Sequence, residues 1–168
     1  AYEYGEGITK NSKKAFEWYC IAAEQNYAIA QHSVGLAYEY GEGTAKNSKK
    51  AFTWFLKAAE QGDKGGQHNV GYSYHYGNGT KKNAKKALAW YLKAAENGHV
   101  IAQNNLGVMN ETGEGLPKNA KKAVTWYRKA AEQGYDLAQR NLGFMYEFGT
   151  GTAKNSKKAF TWFLKAAE

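Results

Sequence analysis

Apolar and polar positions along the chain alternate on helical spacing. Between residues 30 and 38, small or apolar side chains stand at Ala30, Val34, Ala37 and Tyr38, one face of a helix of 3.6 residues per turn. Gly41-Glu42-Gly43 breaks the pattern, its glycines able to take positive φ where the chain reverses. A second stripe follows at Ala51, Trp54, Phe55 and Ala58, with Asn47 or Ser48 as its N-cap and Gly62 as its stop. The two stripes predict a hairpin of two short helices, each about 20 Å long.

The hairpin recurs. Trp18, Trp54, Trp90, Trp126 and Trp162 are spaced 36 residues apart, and the rest of the chain keeps the same step. The pattern predicts one all-α array over residues 1–168, with a partial repeat 1–26, repeats 27–62, 63–98 and 99–134, and a partial repeat 135–168. Such arrays bury their apolar faces against neighbouring repeats instead of in one globular core. Small residues recur where helices must approach closely, at Gly35, Gly71, Gly107 and Gly143 and at the Ala58-Ala59 pair and its copies. Residues 43–60 and 151–168 are identical, the mark of recent duplication or of consensus building. The chain opens and closes within a repeat, which reads as part of a longer protein.

Leu142-Gly143-Phe144-Met145-Tyr146, Gly149-Thr150-Gly151, Asn155, Lys158-Ala159, Trp162-Phe163 and Lys165-Ala166-Ala167-Glu168 resemble the Sel-1-like repeat, a relative of the tetratricopeptide repeat. The resemblance covers essentially the whole chain in five registered copies. It implies a right-handed α/α superhelix, a solenoid of about five 36-residue helix-turn-helix repeats, and a role in assembling protein complexes. It implies no shared catalytic residues. Members commonly carry Asp where Asn11, Asn47, Asn83, Asn119 and Asn155 stand, and asparagine caps a helix about as well. Some members are stapled by paired cysteines; with Cys20 alone, this chain has no internal disulfide framework, and Cys20 reads as a packing residue.

Two repeats depart from the rest. Asn110 and Thr112 replace the pair Tyr38 and Tyr40, removing aromatic packing from the fourth hairpin. Gly65-Gly66 stands where other repeats have Ile29-Ala30 or Leu137-Ala138. Each helical glycine costs about 0.5–1 kcal/mol relative to Ala, so the third repeat is either a hinge or a place of unusually tight packing.

In a tetratricopeptide-like superhelix the first helix of each pair lines the concave face. Its positions here are 29, 32, 36, 39 and 40 and their copies, which vary between repeats while packing positions stay constant. The groove so defined holds Glu3, Tyr4, His32, Leu36, Glu39, Tyr40, His68, Tyr72, His75 and Tyr76. It continues with Asn104, Val108, Glu111, Thr112, Arg140, Phe144, Glu147 and Phe148. Aromatic side chains mixed with charges suit a surface that holds a partner peptide or domain. Tyr40, Tyr76 and Phe148 equally suit a cover over the edge of the core. His68 and His75 are about 10 Å apart along a helix and cannot share a metal ion unaided, so the histidines read as hydrogen-bonding or partner-contacting groups.

The formal net charge of +8 lies elsewhere. The motif Lys-Asn-Ser/Ala-Lys-Lys supplies Lys10, Lys13, Lys14, Lys46, Lys49, Lys50, Lys82, Lys85, Lys86, Lys118, Lys121, Lys122, Lys154, Lys157 and Lys158. Stacked repeats align them as a basic ridge, either a solvated face copied with its repeat or a dock for a polyanion or an anionic membrane surface. Nothing resembles an RNA-binding motif, which argues against nucleic acid. Gly41-Glu42-Gly43 lacks the Gly-Lys-Ser/Thr and the preceding strand of a phosphate loop. There is no triad, paired buried carboxylate or metal-ligand cluster, no cofactor motif and no apolar run long enough to span a bilayer. The pattern supports a non-catalytic interaction scaffold; end-to-end self-association through uncapped repeats is the structural alternative.

Overall fold

A computed structural model of the chain describes residues 11–167. Among them are α1 (Ser12–Glu24), α2 (Ala28–Tyr40), α3 (Ser48–Glu60), α4 (Lys64–Tyr76), α5 (Ala84–Glu96), α6 (Val100–Thr112), α7 (Ala120–Glu132), α8 (Asp136–Phe148) and α9 (Ser156–Lys165). The described residues contain no strand, and the all-α, repeat-built solenoid expected from the sequence is what forms. The chain divides into two compact units, Ala1–Asn83 and Ala84–Glu168. Within each, successive helices pack on one another in chain order.

The helix boundaries follow from local chemistry. Asparagine, and not the serine beside it, is the cap: Asn47 Oδ1 accepts from the Lys50 backbone N–H at 3.0 Å, and Asn11, Asn119 and Asn155 do the same in their repeats. The Asn47 backbone N–H also donates to the Tyr38 carbonyl at 2.8 Å, and Asn155 to Tyr146 likewise, so one residue both caps the second helix and ties it to the end of the first. Gly41 takes φ 79° and donates its N–H to Ala37 O, closing α2. Gly43 has a second duty: a Cβ there would stand 2.2 Å from Ser12 O, on the start of the preceding second helix.

The tryptophans are not the centre of the core. Trp18 is 60% exposed and the others are half-buried, whereas the residue that follows, Phe55, Tyr91 or Tyr127, is buried. The reason is the glycine opposite. A Cβ on Gly35 would meet the Phe55 ring at 2.5 Å, one on Gly107 the Tyr127 ring at 2.4 Å, and one on Gly143 the Phe163 ring at 2.5 Å. Glycine therefore makes a slot for a ring on the helix facing it, while tryptophan lies at the edge. Trp54 packs beside Ala23, Ala30 and Val34, and its outer face carries Lys57 Nζ 4.1 Å from the ring centroid. Lys93 on Trp90, Lys129 on Trp126 and Lys165 on Trp162 repeat that cover.

Gly65 and Gly66 have packing reasons of their own. A Cβ on Gly65 would press to 2.6 Å from the His32 ring, and one on Gly66 to 2.9 Å from Ala58 Cβ and the Ala59 backbone. Buried glutamines form a further repeating device. Gln31, Gln67, Gln103 and Gln139 each donate from Nε2 to the carbonyl eight residues earlier, Ala23, Ala59, Ala95 and Ala131. Gln61 in turn donates to Gln31 Oε1, and Gln133 to Gln103 Oε1, both at 2.7 Å. A buried amide so satisfied locks each first helix to the preceding second helix.

Candidate functional site

In the first unit, α2 presents His32, Leu36, Glu39 and Tyr40, and α4 presents His68, Tyr72, His75 and Tyr76. Five of these, Leu36, Glu39, Tyr40, His68 and Tyr72, line one cleft of about 270 Å³ together with Phe55, Asn69 and Ser73. Tyr40 is 70% exposed, Tyr72 40% and Tyr76 59%. The Tyr76 ring lies 4.5 Å from that of Tyr72 and 4.5 Å from that of His75, stacked on the latter, so α4 carries a continuous ring surface. Glu39 is half-buried and has no hydrogen bond or ion pair among the described residues. A second cleft, of about 230 Å³ and between α1 and α2, shares Leu36 and Tyr40 and adds Phe16, Tyr19, Ser33 and Glu42, among others.

His32 and His68 meet through Asn69. The Asn69 amide nitrogen lies 3.0 Å from His32 Nε2 and its oxygen 3.1 Å from His68 Nδ1. The consistent tautomers have Asn69 donating to His32 Nε2 and accepting from His68 Nδ1–H; His32 Nδ1 then faces Asp63 Oδ1 at 3.7 Å. Burial holds both imidazoles below the ordinary histidine range; Asp63 acts against it on His32, and the Asn69 bond acts against it on His68. Asn69 was not singled out from the sequence. Its signal is the 37-residue offset of the pair, which returns in the second unit as Asn141 Nδ2 donating to Asn104 Oδ1 at 3.1 Å.

In the second unit, α6 carries Asn104, Val108, Glu111 and Thr112, and α8 carries Arg140, Phe144, Glu147 and Phe148. Asn104 is buried in that amide pair, and Val108 packs against the core around Leu142. Glu111 Oε2 accepts from Tyr127 OH at 2.6 Å; burial, and after it this carboxylate, raise the phenol well above its ordinary range. Phe144, 47% exposed, packs edge-on to Phe163 at 5.1 Å and runs nearly parallel to Phe148, 73% exposed, at 6.3 Å. Arg140 is exposed, Glu147 is half-buried, and Thr112 turns its hydroxyl back to Val108 O.

The ridge lysines Lys13, Lys14, Lys46, Lys49, Lys50, Lys82, Lys85, Lys86, Lys118, Lys121, Lys122, Lys154, Lys157 and Lys158 are all exposed. Lys50 and Lys158 lie over the rings of Tyr38 and Tyr146. Glu3, Tyr4 and Lys10 fall outside the described residues. Cys20 is half-buried, and burial, then Glu24, raises its thiol pKa, which disfavours the reactive thiolate. Among the described residues no three His, Cys, Asp or Glu side chains are placed to hold a metal ion, and no helix is long and apolar enough to cross a membrane.

Solved structures share this architecture. A protective antigen of uropathogenic Escherichia coli displaying an SLR fold, c5321, superposes with TM-score 0.94 at 36% identity, over 99% of this chain and 36% of that one. A Sel1 repeat protein from Oxalobacter formigenes gives 0.93 at 39% identity, over 99% and 66%. The chain thus spans about a third of the first and just under two thirds of the second. Cysteine rich protein B of Helicobacter pylori gives 0.61 at 30% identity, over 77% and 92%. A search of curated proteins returned no match. The Sel1 repeat profile matches residues 1–27, 28–63, 65–99, 100–135 and 136–168, and with the glycine slots and asparagine caps recurring in that register, the chain belongs to the Sel1 repeat family.

Proposed function

We propose that the chain is a non-catalytic scaffold that holds a segment of a protein partner against the aromatic face of its first helices. Sel1 repeat proteins generally mediate protein–protein interaction and are generally non-catalytic, which supplies the class of function. The observation that carries the finer reading is the α2–α4 cleft. Five residues from positions that vary between repeats line it together, and exposed rings continue from it along α4. At about 270 Å³ it is smaller than the roughly 300–1,000 Å³ of drug-sized ligand pockets, a size that suits a side chain of a bound segment. Tyrosine-rich surfaces supply large rigid contact area at low entropic cost, the usual basis of binding hot spots.

The test is an affinity pull-down from lysate of the source cells, comparing the wild type with Tyr72→Ala/Tyr76→Ala/Phe144→Ala. Circular dichroism checks that the variant folds. Proteins retained by the wild type and lost by the variant support the groove. Equal retention by both removes it.

A further inference from the structure

The α2–α4 cleft has an electrostatic character opposite to that of the chain. With 23 Lys and Arg against 15 Asp and Glu, a randomly placed cleft would more often meet a basic side chain than an acidic one. Among the described residues no Lys or Arg lines this one, and the only formally charged residue there is Glu39. That residue is half-buried and lacks an ion-pair partner among the described residues, and it shares the cleft with the apolar side chains of Leu36 and Phe55. Tyr40 and Tyr72, whose ring faces are electron-rich, line it as well. The remaining polar lining is Ser73 and the bonded pair His68 and Asn69.

We infer that the cleft takes an arginine side chain from the partner segment, its guanidinium stacked on tyrosine and paired with Glu39. The inference rests on the groove reading above. Arginine suits the site better than lysine because a planar, weakly hydrated guanidinium stacks on an aromatic face while its fork bonds a carboxylate, and its aliphatic stem covers Leu36. An acidic or phosphorylated segment is disfavoured by the same charge.

The test titrates the full ¹⁵N-labelled chain with N-acetyl-arginine methylamide and, in parallel, with the citrulline analogue, which keeps the shape and loses the charge. Shifts concentrated at the amides of Leu36, Glu39, Tyr40, His68 and Tyr72, seen with arginine and at least about tenfold weaker with citrulline, support the inference. Glu39→Gln is expected to weaken arginine binding by about tenfold or more, with an otherwise unchanged spectrum showing that the fold persists. Equal response to both compounds, or none in the cleft, overturns it. Shifts at these amides on raising protein concentration alone would place a second copy of the chain in the cleft, in place of a partner segment, and overturn it too. If arginine fails while Tyr72→Ala/Tyr76→Ala still abolishes partner retention, the groove stands and its cation preference falls. If arginine binds but retention survives those substitutions, the groove reading falls and takes the peptide arginine with it.

Discussion

His32 is held by an acceptor role that protonation would destroy: its Nε2 receives the Asn69 amide at 3.0 Å, and a proton there would set donor against donor. Burial puts the folded pKa of both His32 and His68 below the usual 6.5. The unfolded chain therefore binds more protons between the two values, so stability is full above about pH 6.5 and falls as the pH drops through that window. The urea midpoint should be level from about pH 8 to 7 and decline below 6.5. His32→Asn, which copies the Asn104–Asn141 pair, should show a shallower decline, and an equal decline would exclude this histidine as its source. Asn110 is the other costly side chain. It is 2% exposed, its Nδ2 donates to Leu106 O, and its Oδ1 has no partner among the described residues. Asn110→Leu, close in volume, should raise stability by about 1 kcal/mol in a urea titration. No gain would mean that the oxygen is satisfied by water.

At the level of the helix, the second strand of control is the cap. Asn47→Ala should cost about 1 kcal/mol, and Asn47→Asp should cost nothing or stabilise by a few tenths, since a carboxylate at a helix N-terminus interacts well with the dipole and with Lys49 and Lys50 nearby. No loss in Asn47→Ala would move the importance of this position to the Asn47 N–H bond with Tyr38, which each variant keeps. The glycine slot inverts a propensity argument. Alanine is the better helix former by about 1 kcal/mol, yet Gly35→Ala should destabilise by about 1–3 kcal/mol because its Cβ meets Phe55 at 2.5 Å. Phe55→Leu should cost less in the Gly35→Ala background than in the wild type, a coupling that a double-mutant cycle by urea unfolding measures.

For the molecule as a whole, salt separates its two candidate surfaces. A partner held by tyrosine rings and one carboxylate should lose little affinity between about 50 and 200 mM salt, whereas a polyanion laid on six to ten ridge lysines would lose about 10³–10⁵. Fluorescence titrations of the retained partner at both salt concentrations check this. A steep loss would move the binding site to the exposed lysines of the Lys-Asn-Ser/Ala-Lys-Lys motifs.

The repeat, its two helices and its turn glycines are properties of the sequence alone, because each depends on residues within a few positions or on a 36-residue unit that the chain displays five times; the choice of Asn47 over Ser48 as cap is made only in the structure. The variable positions can be marked out too, but variation does not keep all of them off the stack: Asn104 is buried in its amide pair with Asn141, and Val108 packs against the core. What the sequence misplaced was weight. Tryptophan is the most conspicuous recurring residue, yet the packing of Gly35 decides that Phe55 fills the slot and Trp54 lies under Lys57. Such pairings join residues far apart in the chain. The same holds for Gln61 with Gln31 and Asn69 with His32, and for the absence of any lysine among the described residues that line the cleft with Glu39. Helical periodicity states which side of a helix is buried; only the approach of one helix to another determines which side chain meets which, and so where a cleft opens and what charge it carries.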